Sequence, residues 1–294
     1  MSEEKVLTKE IIIQEVPKFD DVVDLSEYTK IDDDAAELLS QFEGDVSLNG
    51  LTELSDISAG HLTNGQIFSL EFHGLPEIAE SIALTLANFE GDWLGLSGLT
   101  NLSETIAEHL GRSKSDILIL HKLSEISDKA AENLSKFSGE NLDVGLSELS
   151  VTQAEIFAGC TCDSINFGRL AKLTDAAAES LSKHKGLLRF HGLKSLSDAA
   201  AESLSRHEGG LSLDGLTELS DAAAESISCL LGALELGLTE LSDAAAESLS
   251  KCKGELSLFC LTELSDSAAK SLAKMDPENL KISETIEEQI SAYR

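Results

Sequence analysis

The side chains best equipped for chemistry are five cysteines, seven histidines and a large surplus of carboxylates in a chain of 294 residues. Cys160-Thr161-Cys162 sets two thiols one residue apart, the spacing of a redox pair or of half a metal site. No second cysteine pair at ligand spacing accompanies it, so the preferred reading is two small core residues. Cys229, Cys252 and Cys260 are scattered, and an odd count confined to the second half is a poor disulfide framework. Reduced thiols in a cytoplasmic compartment are the expectation. Asp32-Asp33-Asp34 offers a weak cation contact, but capping of a helix start accounts for it. Gly95-Leu96-Ser97-Gly98 lacks the spacing of a nucleophile elbow, and no phosphate-binding loop or dinucleotide fingerprint is present. Ser–Asp pairs recur along the chain, whereas an active site is local. No catalytic residue, cofactor or metal is expected, and the chain is not read as an enzyme.

What positions these groups is a repeat. Residues 211 to 232 read LSLDGLTELSDAAAESISCLLG, and residues 234 to 254 read LELGLTELSDAAAESLSKCKG. One apolar position marks the register: Ile31, Leu54, Ile78, Leu102, Ile126, Leu149, Leu173, Leu196, Leu219, Leu241 and Leu264. Its steps of 22 to 24 residues signal a stacked-repeat architecture.

Inside each unit the period changes. Two leucines at spacing two share one face of a short strand. Ser220-Asp221 then supplies an N-cap oxygen and a negative charge for a helix start. Ala222 to Ser228 reads as about two helical turns with Ala223, Ala224 and Ile227 on one side. Gly232 is expected to end the unit as a left-handed cap. Leu216 and Leu219 are both expected to be buried between neighbouring units. His184, His207 and Cys252 recur after helices, as buried spacers or as charges at a helix C-terminus.

This pattern resembles a leucine-rich repeat. It is most similar to the cysteine-containing subclass of F-box adaptor proteins, with a bacterial flavour in its LSDAAAESL style. Leu211 and Leu213 fall on the two strand leucines of that motif, and Leu216 on its first cysteine. Leu219-Ser220-Asp221 falls on I-T-D, Ala223 and Ala224 on Gly-Leu, and Ile227 on the next leucine. The unit is shorter than the subclass norm, the motif cysteines are absent and no F-box-like segment precedes the array, so an adaptor role is not carried over. The resemblance implies an α/β leucine-rich repeat solenoid, a right-handed βα superhelix. It puts a parallel sheet on the concave face and short helices on the convex face. Residues 1–21, with the β-prone stretch Lys9 to Val16, are expected to form an N-terminal cap. Residues 22–276 hold the eleven repeats. Residues 277–294 form a C-terminal cap in which Leu280, Ile282, Ile286 and Ile290 make a last strand and closing helix.

Composition limits the partners. The net charge is -31, which repels nucleic acid and anionic membranes and favours basic partners or simple solubility. No apolar run approaches the ~20 residues of a membrane span, and no secretory signal is visible at the N-terminus. Aromatic residues are 4%, so an aliphatic core is expected. On the concave face most residues beside the strand leucines are small or polar. The exceptions are Trp93, Ile117 and Ile119. They form an apolar patch suited to a partner, or lie in the core if the register slips there. His121 sits beside them. Arg189 with His191 is a second candidate, a positive spot unless a neighbouring carboxylate pairs with it. His73, His121 and His191 are too widely spaced for one metal, since strands are ~4.8 Å apart. The expected function is a monomeric scaffold that binds a protein, of basic character, through the concave sheet. The alternative is a structural protein that self-associates.

Overall fold

The computed structural model describes residues 4–16 and 21–294. Parts of the expected N-terminal cap, residues 1–3 and 17–20, lie outside the described residues. The chain divides into two compact units, Met1–Leu146 and Ser147–Arg294.

In the first unit, strands and helices alternate. They are β1 (Val6–Leu7), α1 (Lys9–Glu15), β2 (Val22–Asp24), β3 (Lys30–Ile31), α2 (Asp33–Leu39), β4 (Asp45–Ser47) and α3 (Asp56–Thr63). There follow β5 (Ser69–Glu71), α4 (Glu80–Leu86), β6 (Trp93–Gly95), α5 (Glu104–Leu110), β7 (Ile117–Leu120), α6 (Asp128–Leu134) and β8 (Asn141–Val144). The strands β2, β4, β5, β6, β7 and β8 pair in that order, all parallel, while β1 pairs with β3. The second unit begins with α7 (Val151–Ala158), β9 (Ser164–Asn166), α8 (Asp175–Leu181), β10 (Leu187–Arg189), α9 (Asp198–Leu204) and β11 (Leu211–Leu213). It continues through α10 (Asp221–Ile227), β12 (Leu234–Leu236), α11 (Asp243–Leu249), β13 (Leu256–Ser257), α12 (Asp266–Leu272), β14 (Leu280–Lys281) and α13 (Glu284–Ser291). Here too consecutive strands, β9 to β14, pair in parallel.

Each helix is two turns long, too short to persist alone, and is held by one buried stripe. Ala223, Ala224 and Ile227 are fully buried on α10, and the same positions are buried on α8, α9 and α11. Small alanines let neighbouring helices approach, so that each repeat adds one strand and one helix layer. The strand leucines fill the space between the layers. The largest fully buried side chains are nevertheless aromatic: Phe72, Phe89, Phe137, Phe157, Phe167 and Phe190. Phe167 and Phe190 stack at 5.8 Å between ring centroids, and Phe157 meets Phe167 edge-on at 5.6 Å. The rest of the core is aliphatic, as expected, and the few aromatics are concentrated where each fills the most volume.

Three local expectations change. Lys9 to Glu15 is a helix, not a strand, because it packs on α2 as α2 packs on α3, burying Ile12 and leaving Ile13 outside. Packing overrides β-propensity here. Gly232 is not a left-handed cap, since no described glycine has positive φ. A Cβ on it would lie 2.1 Å from the Gly209 carbonyl oxygen. Glycine is needed because successive repeats stack backbone on backbone there. Finally, Leu216 is fully buried but Leu219 is partly exposed. Leu219 stands at the rim where the chain turns into the helix, while Leu216 points between the layers.

Candidate partner-binding face

The alternation of the strands decides which side chains meet solvent. In β6 and β7, Leu94, Leu118 and Leu120 point inward and are fully buried. Trp93, Ile117 and Ile119 point the other way, with Trp93 37% exposed and the two isoleucines half-buried. The register therefore does not slip, and all three occupy the sheet face away from the helices. Trp93 is the direct cross-strand partner of Ile117, and Gly95 that of Ile119. A Cβ on Gly95 would stand 3.5 Å from the Trp93 Nε1 and 3.4 Å from the Glu71 Cγ. The indole thus leans along its own strand over the bare Gly95 backbone.

The row containing Trp93 runs Val22, Asp45, Ser69, Trp93, Ile117, Asn141 across β2 to β8. Asp45 and Ser69 are short, so a depression of about 140 Å³ lies between Val22 and Trp93, bordered also by Glu71. Val22 is exposed and forms the far wall. Val22 is not among the residues that the sequence singled out. Its pairing with Trp93 across a gap appears only when the strands are laid side by side. The parallel row runs Asp24, Ser47, Glu71, Gly95, Ile119, Asp143. Neither row contains a lysine or arginine; Asp24, Asp45 and Glu71 reach solvent, whereas Asp143 is buried.

A hydrogen-bonded network stiffens one side. The Asn49 amide donates to Ser47 Oγ at 2.6 Å and to Glu71 Oε2 at 3.0 Å, while Asn49 Oδ1 accepts from the His73 backbone N–H. Hydrogen bonding from the Ser26 side chain first, and then from its backbone N–H at 2.9 Å, holds the Asp24 carboxyl below the usual range. His121 stands at the other side, its Nδ1 3.6 Å from the Asp143 carboxylate.

In the second unit Arg189 and His191 follow the same strand alternation. His191 Nδ1 meets Asp214 Oδ1 at 2.5 Å, and Arg189 donates to Ser164 Oγ at 3.1 Å. Much of the positive spot expected there is engaged within the chain. The other histidines serve elsewhere. His184 and His207 are fully buried and stacked at 6.4 Å. Burial lowers both from the usual histidine pKa, so they are neutral spacers and not charges at helix ends.

A cavity of about 750 Å³ opens elsewhere in the first unit, lined by Thr63, Gln66, Leu84, Asn88, Glu90 and Lys114 among others, and holds none of the candidates. Among the described residues, no three His, Cys, Asp or Glu side chains come together at metal-binding spacing. No described helix is long and apolar enough to cross a membrane.

No family model matches the sequence, and no curated protein matches it. Solved structures do. The chain is similar to a chain of the Drosophila Toll–Spatzle complex, at 13% identity and a TM-score of 0.52, over 95% of this chain and 41% of that one. It is also similar to a chain of the TLR13–ssRNA13 complex, at 18% identity and a TM-score of 0.50, over 89% of this chain and 42% of that one. This chain thus spans about two fifths of the length of each. At such identity the likeness concerns the fold, which is a leucine-rich repeat fold: parallel strands, each followed by a short helix.

Proposed function

We propose that this chain is a non-enzymatic protein-binding scaffold. Its partner docks on the open sheet face of the first unit and seats a basic side chain between Val22 and Trp93. The observation that carries this reading is an exposed indole with Ile117 and Ile119 beside it, on rows that hold four carboxylates and no cation. An exposed aromatic among aliphatics is the usual centre of an interface, and an Arg or Lys stem can lie along an indole with its charge toward Glu71 or Asp45. Ile117, Ile119 and His121 extend the contact toward β8. Arg189 and His191 form a weaker second contact in the other unit, because Asp214 and Ser164 already hold them.

Of the two fold relatives, one is described in complex with the protein Spatzle and the other with single-stranded RNA. A net charge of -31 favours the protein alternative for this chain. An odd number of cysteines, all in the second half of the chain, fits a cytoplasmic setting, and a monomer suffices for the proposed mode.

A fluorescent peptide panel tests the reading. Peptides with one apolar anchor flanked by Lys or Arg should bind, and their acid-flanked counterparts should not. Trp93→Ala should weaken binding at least about tenfold with an unchanged melting temperature, and Glu71→Gln should reduce the salt dependence. If no peptide or protein ligand depends on Trp93, the proposal fails.

A further inference from the structure

Cys160 and Cys162 lie in the loop between α7 and β9, and neither belongs to the face described above. Cys160 holds the position after the helix that Phe89 and Phe137 fill in the first unit and His184, His207 and Leu230 fill in the second. Cys162 holds the position, two residues before the strand, that is glycine at Gly91 and Gly139, where a Cβ would meet the preceding repeat's carbonyl oxygen at 2.3 and 2.6 Å. At that crowded position this repeat carries a thiol instead. The two sulfurs are 2.9 Å apart, and their residues are 5% and 2% exposed. Thr161 between them is exposed, so solvent lies one residue away.

Another repeat has small side chains at both positions. Ser113 and Ser115 hydrogen-bond to each other at 3.0 Å, fully within the core. The fold therefore accepts a facing pair of small side chains here without sulfur. What sulfur adds is the capacity to form a bond between them.

We propose that Cys160 and Cys162 are a thiol-oxidation site, a dithiol that reduces a small-molecule disulfide and closes to a disulfide within the loop. The Cys160 thiolate attacks one sulfur of the small disulfide, forming a mixed disulfide and releasing one thiolate, which takes up a proton. Cys162 loses its proton to solvent and attacks the Cys160 sulfur, expelling the second thiol. Two protein thiols lose two electrons, and one small disulfide becomes two thiols. The roles follow from the contact: the hydrogen bond between the two sulfurs holds the Cys160 thiol below its usual range and, together with burial, pushes the Cys162 thiol up, so Cys160 attacks first. Burial makes the reaction wait on opening of the loop. Cys229, Cys252 and Cys260 have no partner sulfur in bonding contact among the described residues.

The experiment equilibrates the folded protein in mixtures of reduced and oxidised glutathione. It then quenches with acid, alkylates the unfolded chain with N-ethylmaleimide and maps tryptic peptides by mass. The peptide from residue 137 to 169 contains only these two cysteines. With more oxidised glutathione it should pass from doubly alkylated to unlabelled and two hydrogens lighter, without a glutathione adduct, and dithiothreitol should reverse the change. Cys162→Ser, a change the Ser113–Ser115 pair shows to be compatible with the fold, should instead accumulate glutathione on Cys160. The proposal is overturned if the wild-type peptide stays doubly alkylated while exposed Cys229 and Cys260 carry glutathione. It is equally overturned if the wild type stops at the mixed disulfide.

Discussion

Ser220 Oγ donates a hydrogen bond to the Asp198 carboxylate of the preceding repeat while accepting one from the Ala223 backbone N–H at 3.0 Å. One hydroxyl thus caps its own helix and fastens it to the preceding one. The same link joins Ser197 to Asp175, Ser242 to Asp221, Ser265 to Asp243 and, in the first unit, Ser55 to Asp33. In Asp33 the hydroxyls of Ser55 and Ser58 hold the carboxyl below its usual range. Ser220→Ala should cost about 1 kcal/mol, the usual value of an N-cap. Asp198→Asn keeps an acceptor oxygen and should cost less. Urea unfolding of both variants checks the order.

Leu216 and Leu219 should separate sharply. Leu216→Asp places an unpaired charge between the layers and should lower stability by about 3 kcal/mol or more. Leu219→Asp stands at a partly exposed rim and should cost much less. Thermal melts giving equal losses would contradict the observed burial.

Two glycines should respond in opposite ways to alanine. Gly60, inside α3, has nothing within 4 Å of an added Cβ, so Gly60→Ala should stabilise by up to about 1 kcal/mol. Gly232→Ala drives a methyl into the Gly209 carbonyl and should destabilise, although its φ is not left-handed. Calorimetry of the two variants tests the contrast.

Stability should depend on pH through His184 and His207. Burial lowers both pKa values on folding, so the unfolded chain binds more protons. This contribution is fully present above the unfolded value of about 6.5 and is lost as pH falls below it toward the folded values. His184→Phe puts in the residue that the same position holds at Phe89 and Phe137, and it should flatten the dependence. The difference between variant and wild type in urea midpoint, at pH 7.5 and at 5.5, isolates the effect from the general easing of charge repulsion.

The fold was legible because every repeat states it again. Leu211-x-Leu213, Ser220-Asp221 and the alanine stripe each encode a local preference, and a 22- to 24-residue period repeats them in step. The candidate face was legible in part. Strand alternation placed Trp93, Ile117 and Ile119 together because parallel pairing at constant register follows from a constant period. Val22 was not legible as the opposite wall, because its relation to Trp93 depends on how short Asp45 and Ser69 are on the strands between.

By itself, then, the sequence determined the repeat, the alternation of strand and helix, and which residues share the open face, since all three are periodic and local. Tertiary structure alone decided the rest. It made Lys9–Glu15 a helix by giving it α2 to pack on. It required glycine at Gly232 through a carbonyl 23 residues earlier in the chain. It turned the Ser–Asp pairs from separate caps into links between repeats. In each case the deciding atom belongs to a neighbouring repeat, at a distance that no local preference encodes.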